Sequence, residues 1–167
     1  MNIFKRKTQI DTENIFNQIL NYEDSDVEIF NQLEMDFLQT PNIENIKLFY
    51  SYFKELKSYK KRVFFDSFIR IIKTITEKEK QLKVKLFAQN LLYYYFDNID
   101  MNPDNEKDIL DSANFFFFLS GICDGLNMHE EFTIKLLKKQ ETYSKEILKP
   151  FFDQLRKNKL NEELYYV

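Results

Sequence analysis

Oxygen-bearing side chains alternate along Asp100-Met101-Asn102-Pro103-Asp104-Asn105-Glu106-Lys107-Asp108, and Asp111 stands at the twelfth place counted from Asp100. Alternating carboxylate and amide oxygens closed by a carboxylate at position twelve are what a calcium loop requires. The stretch departs from that pattern: Asn105 stands where the sharp turn takes Gly, Lys107 holds the usual apolar position, and Asp111 is shorter than a bidentate Glu. The competing reading is a solvated acidic loop whose carboxylates favour the N-terminus of the next helix. A second candidate is the lone cysteine with the lone histidine, Cys123 and His129. Thiolate chemistry needs a neighbouring base, and this pair is formally available. Cys123 follows the apolar run Phe115 to Leu119, however, so the expectation is a buried structural thiol and a surface histidine. One cysteine also excludes an internal disulfide and a cysteine-based zinc site.

Asp124-Gly125, followed by Glu130-Glu131 at a helix start, locally resembles the Asp-Gly plus Glu signature of tellurite-resistance B-like helical domains. The Asp97 to Glu106 stretch resembles a degraded second copy without its Gly. The likeness spans residues 124–131 and does not amount to membership. It implies an acidic metal site, and a metal-binding regulatory domain would centre on Asp97, Asp100, Asp104, Asp124 and Glu130. A glycine turn before a helix with a negatively charged first turn accounts for the same residues.

Other chemistries find less support. Neither G-x-x-x-x-G-K-[ST] nor G-x-G-x-x-G occurs, and the only two glycines, Gly121 and Gly125, share one short stretch, so nucleotide-dependent chemistry and a bound cofactor are not expected. Lys54, Lys57, Lys60, Lys61, Arg62, Arg70 and Lys73, interleaved with Tyr52 and Tyr59, are suited to contact phosphates and stack bases. Against nucleic acid stand a net charge of −3 and the absence of a helix-turn-helix signature. Tyr93-Tyr94-Tyr95-Phe96 and Phe115 to Phe118 suit either core packing or the walls of a pocket for a small apolar ligand. Three consecutive helical tyrosines cannot share a face, so some of Tyr93, Tyr94 and Tyr95 must face outward, where tyrosine is an effective interface anchor.

The elements that position these residues are helices. Glycine and proline number two and three in 167 residues, and tight turns and left-handed backbone usually draw on glycine. The expected fold is all-α: one domain over residues 1–167, a bundle of about seven helices or an irregular array of helical hairpins, with 1–9 and 161–167 frayed. With 18 Phe and 10 Tyr against Ala88 and Ala113 as the only alanines, helix stability rests on burying bulky faces more than on propensity. The first helix is predicted from Asp11. A capping box at Ser25-Asp26-Val27-Glu28 opens a second, ending near Gln39, and Thr40-Pro41 opens a third through Leu56. A fourth carries Phe64, Phe68 and Ile72, and a second capping box at Thr76-Glu77-Lys78-Glu79 separates it from a fifth that stops at Asp97. A sixth runs from near Asn105 into Phe115 to Phe118, which predicts a helix buried on all sides at the centre of the fold, ended by Gly121 and Gly125. Asn127 and Glu130 cap a seventh that runs to about Lys149, where Pro150 stops or kinks it.

Charge is segregated: residues 8–46 hold nine acids and no base, 54–85 eleven bases against four acids, and 97–131 nine acids against Lys107 alone. Either neighbouring helices neutralise one another, or a polarised surface steers a charged partner. The longest uninterrupted apolar run falls short of the ~20 residues of a membrane span, and the basic N-terminus lacks an apolar signal region, so a cytoplasmic, non-membrane protein is expected. With no assembled catalytic set, the expected function is a non-enzymatic protein-interaction module, in concrete form an immunity or inhibitor protein masking a basic partner. Asp24, Asp26 and Glu28, with Tyr93, Tyr94 and Tyr95, are the expected contact residues. Homodimerisation through complementary charge blocks is a further expectation.

Overall fold

The computed structural model describes residues 12–23, 42–98 and 106–165; these are helices and short connections with no strand among them, so the chain is all-α. The elements are α1 (helical residues 12–20), α2 (Ile43–Phe53), α3 (Ser58–Thr74), α4 (Lys78–Asn98), α5 (Glu106–Leu126), α6 (Glu130–Tyr143), a π turn (Ser144–Leu148) and α7 (Lys149–Tyr165). The capping box at Ser25 to Glu28 and the Thr40-Pro41 pair lie outside the described residues. Two compact units are formed, Met1–Ile99 with Gly121–Met128, and Asp100–Ser120 with His129–Val167. Helix α5 is therefore divided between them along its length.

In the first unit, α4 packs against both α2 and α3. Its core is aromatic, as a chain with two alanines must make it: Phe49, Phe53, Phe64, Phe65, Phe68 and Phe87 are fully buried. The rings meet mostly edge to face, Phe49 on Phe87 at 4.9 Å, Phe53 on Phe65 at 5.3 Å and Phe53 on Tyr95 at 5.4 Å, while Phe16 of α1 stacks on Phe64 at 4.8 Å. Such pairs add about 0.5–1.5 kcal/mol each beyond the area they bury. Arg70 of α3 holds the end of α1 by donating to the Tyr22 carbonyl at 3.2 Å and lying over the Tyr22 ring.

Helix boundaries follow from where backbone groups find partners. The predicted break at Thr76 to Glu79 is present, between Thr74 and Lys78, and Gln81 reaches back to donate to the Ile72 carbonyl at 3.0 Å, satisfying an acceptor left open at the end of α3. Helix α2 is capped by Asn42, whose side chain accepts from the Asn45 amide at 2.9 Å, two positions after the expected N-cap Thr40. The polar patch Lys57 to Lys61, expected from sequence to separate two helices, supplies the N-cap, Lys57, and the first turn of α3.

Gly121 and Gly125 do not end α5; both lie within it, and neither has positive φ. The left-handed residue is Asn127, φ 50°, and the end is a Schellman motif: Asn127 N–H donates to the Asp124 carbonyl at 3.2 Å and Met128 N–H to the Cys123 carbonyl at 3.0 Å. Gln89 of α4 adds a side-chain bond to the Leu126 carbonyl at 2.8 Å. Gly125 is needed for approach: a Cβ there would stand 2.6 Å from Ile69 Cδ1 on α3. Asparagine tolerates the left-handed region, and taking it here leaves His129, not Asn127, as N-cap of α6.

In the second unit, α5 and α6 are joined by two side-chain bonds: Gln140 donates to the Phe116 carbonyl at 2.7 Å and the Tyr143 hydroxyl to the Ile109 carbonyl at 3.2 Å. Phe116 and Tyr143 also pack ring to ring at 5.6 Å. The expectation of a helix buried on all sides fails here, because Phe115 and Phe116 are buried while Phe117 and Phe118 are 48% and 42% exposed. Four consecutive phenylalanines cover every direction around a helix, but only part of that circumference is covered by protein. Pro150 does not stop the helical run either. The π turn immediately precedes it, with Lys149 N–H bonding five residues back to Ser144, and the chain continues into α7. A wider turn at that point fits a residue that has no N–H and crowds the carbonyl four residues before it.

One stretch among the described residues, Ile109–Leu126 in α5, is long and apolar enough to cross a membrane by length and composition, with a mean hydropathy of 1.3. The apolar run legible in the sequence, Phe115 to Leu119, or to Cys123 when Ser120 is allowed, is the middle of this stretch. A helix that buries Ala113, Phe115, Phe116, Leu119 and Ile122 against protein meets the same test.

Candidate functional site

Spacing places Asn90, Tyr93, Tyr94 and Asp97 on one face of α4, since residues three, four and seven apart are helical neighbours. The core side of the same helix carries Phe87, Ala88, Leu91, Leu92 and Tyr95. The first face looks onto the start of α2, and together they line a surface cleft of about 360 Å³ bounded by Asn42, Ile43, Ile46, Asn90, Tyr93, Tyr94 and Asp97. That is the lower end of the range of small-molecule sites, room for a few side-chain-sized groups. Ile46 is buried and forms an apolar floor, while Ile43 is 56% exposed at the rim.

The aromatic wall is held from behind. Tyr50 of α2 meets Tyr94 edge to face at 4.9 Å with an interplanar angle of 74°, which fixes the direction of the Tyr94 ring. The Tyr50 hydroxyl donates to the Asn98 carbonyl at 3.4 Å, a weak bond at the last turn of α4. Burial, and secondarily the neighbouring Tyr94, push the Tyr50 phenol above its ordinary 10.0, so it remains a neutral donor over the whole physiological range. Asn98 turns its amide back onto the Tyr94 carbonyl at 2.7 Å.

The electrostatics of the cleft are one-sided. Its lining contains Asp97 and no Lys, Arg or His. Asp97 lies in the last turn of α4, where the helix carries its partial negative charge, and no basic residue occupies that turn. Among the described residues no cation pairs with it. The acceptor of Asn42 is already engaged by the Asn45 amide, whereas Asp97, the Asn90 amide oxygen and the Tyr93 and Tyr94 hydroxyls are of types that can accept from a guest, Asp97 alone carrying a charge.

Of the residues singled out from sequence, Tyr93, Tyr94 and Asp97 are brought together here. Tyr95 is a core residue, packed on Phe53 and Tyr50, and so turned away from partners. Asp24, Asp26, Glu28, Asp100 and Asp104 lie outside the described residues. Asp124 and Glu130 are exposed, the first near the end of α5 and the second at the start of α6. Among the described residues no three His, Cys, Asp or Glu side chains are gathered closely enough to hold a metal ion. Asn42, Ile43, Ile46 and Asn90 were missed from the sequence. Asn90 was within reach of the helical spacing; the α2 residues were not, because nothing local announces that α2 and α4 pair.

The other candidates resolve into structural roles. Burial, then the adjacent Asp124 charge, pushes the Cys123 thiol up to about 11, so it is protonated at neutral pH and is no nucleophile. His129 accepts the Glu131 amide on Nδ1 at 3.3 Å as the N-cap of α6. In the basic stretch, Lys61 lies over the Phe53 and Tyr95 rings, Arg62 pairs with Asp66 at 3.6 Å and Arg70 is spent on Tyr22. Comparison of the chain with models of protein families, with curated proteins and with solved structures finds no match.

Proposed function

We propose that the chain is a non-enzymatic protein-interaction module, an intracellular antagonist of the immunity or inhibitor kind, that binds a basic partner through the α2–α4 cleft. The observation that carries this reading is the union of Tyr93, Tyr94 and Asp97 in one cleft whose lining holds no cation. A carboxylate beside tyrosine rings is suited to a cationic side chain, and the acidic blocks at 8–46 and 97–131 would raise the rate of encounter with a basic surface. Aromatic anchors in a cleft would set the lifetime of the complex.

Affinity capture of the tagged chain from its native cells at low and at high salt tests this reading. A stoichiometric basic protein, retained at low salt and released at high salt, is the expected result. Recovery of the chain alone at low salt defeats it.

A further inference from the structure

We propose that the occupant of the α2–α4 cleft is the guanidinium group of an arginine side chain presented by the partner; this deepens the interaction reading above and rests on it. Three features of the cleft converge on that group. The first is charge placed against the local field. An aspartate in the last turn of a helix adds negative charge to an end that is already negative, which disfavours the isolated helix. No basic residue of that turn relieves it, and among the described residues no cation is paired with Asp97. A guest cation seated between Asp97 and the end of α4 relieves both at once. Locally unfavourable placements of this sort are characteristic of binding sites.

The second feature is the pair of tyrosines. Tyr93 and Tyr94 line the cleft, and Tyr94 is braced by the edge-to-face contact with Tyr50. Ring faces attract cations, and the attraction is larger for a weakly hydrated planar ion that can stack than for a compact ammonium. The third is the apolar floor. Ile43 and Ile46 present aliphatic surface beside the carboxylate, which matches an arginine's three-methylene stem below a charged head. Asp97 can accept two parallel N–H bonds from the guanidinium fork, and the Asn90 amide oxygen can accept a further one.

Other occupants fit less well. One carboxylate and neutral amides fall short of the six to eight oxygens that calcium takes. A purely apolar ligand would leave the Asp97 carboxylate unengaged. Lysine satisfies the charge but not the fork or the stack.

The probe is N-acetyl-arginine amide, titrated at low salt into the full chain carrying labelled tyrosine rings and followed by NMR, with N-acetyl-lysine amide and N-acetyl-norleucine amide as controls. Saturable shifts of the Tyr93 and Tyr94 rings are expected with the arginine probe, about fivefold or more weaker affinity with lysine, and none with norleucine. Asp97→Asn, at an exposed position, should weaken the arginine probe about tenfold while leaving the melting temperature no lower, and slightly higher if the charge opposes the helix end. Tyr94→Leu should weaken it severalfold through loss of the ring face. Equal affinity for the three probes, no shift at Tyr93 and Tyr94, or full affinity in Asp97→Asn overturns the proposal. The two readings fail separately. A basic partner captured from cells whose binding is indifferent to Asp97→Asn removes the arginine seat and leaves the interaction module; an arginine probe bound at the cleft with no partner recovered does the reverse.

Discussion

Among the described residues, the first unit encloses nearly all of its phenylalanines and the second displays part of its own. Phe49, Phe53, Phe64, Phe65, Phe68 and Phe87 lose all contact with solvent in the first unit, whereas Leu110, Phe117, Phe118, Ile134, Leu137, Phe152 and Leu155 of the second are each more than a third exposed. The composition is similar, and the difference lies in how many layers surround each helix. In the first unit α4 has neighbours on two sides, α2 and α3; in the second, α5 is tied to α6 by Gln140 and Tyr143. A ring is core only where a second helix covers it, so counting aromatics in a sequence does not locate a core. Surface that remains apolar is also where a protein has stability to gain from company.

The contrast breaks most readily at Phe64. Phe64→Ala removes a ring that touches Phe16, Phe53, Phe65 and Phe68, and should cost about 3–5 kcal/mol in urea unfolding. Leu137→Ala, at a residue 53% exposed, should stay within about 0.5 kcal/mol. Comparable losses at the two sites would show that the Leu137 face is covered in solution. Next in size are the two glutamines that hold α5, Gln89 in the first unit and Gln140 in the second. Alanine at either should cost about 0.5–1.5 kcal/mol for the hydrogen bond, with Gln140 the larger because its side chain is buried as well.

Two smaller effects sharpen the picture of α5. Gly121 is an exposed helical glycine with nothing within 4 Å of an added Cβ, so Gly121→Ala should stabilise by about 0.5–1 kcal/mol. Gly125→Ala should fall short of that gain because its Cβ meets Ile69 Cδ1, and Ile69→Val, which deletes that methyl, should restore it. Cys123 supplies a pH dependence. Its thiol is held up to about 11 in the fold against 9.0 when unperturbed, so below 9.0 both states keep the proton, and between 9.0 and about 11 only the unfolded chain gives it up. Stability should therefore decline as pH rises through that window, and the decline between about pH 8 and about pH 10.5 should be shallower in Cys123→Ala. Smallest of all is the exposed pair at the end of α6, where Lys145 of the π turn donates to Glu141 at 2.6 Å, lowering the carboxyl and raising the amine from their ordinary values. Glu141→Gln should leave the melting temperature where it was.

The all-α class and the break at Thr76 to Glu79 were legible because they depend on local chemistry, the scarcity of glycine and a capping box. The ends of α5 and α6 were not. Glycine was assigned the left-handed turn by default, yet tertiary packing at Ile69 claimed Gly125 and left the turn to Asn127. The candidate site was half visible. The spacing of Asn90, Tyr93, Tyr94 and Asp97 is written in one helix, and so is the four-residue recurrence of Phe87, Leu91 and Tyr95 that puts Tyr95 in the core, although Tyr95 was expected among the contact residues. What Ile43 and Ile46 contribute depends on which helix α2 lies beside, and that is a property of the whole first unit.

The division of α5 gives the chain a particular order of assembly. The first unit is completed by Gly121–Met128, which follow residues Asp100–Ser120 that belong to the second. A ribosome adding roughly 5–20 residues per second takes a few seconds to travel from Ile99 to Met128. For that interval the nascent aromatic core has been made but lacks Ile122 and Leu126, both buried in the finished protein, and the Gln89 amide has no α5 terminus to cap. A stalled or truncated product ending before Met128 would be released with its interior open on that side, a natural substrate for chaperones and proteases.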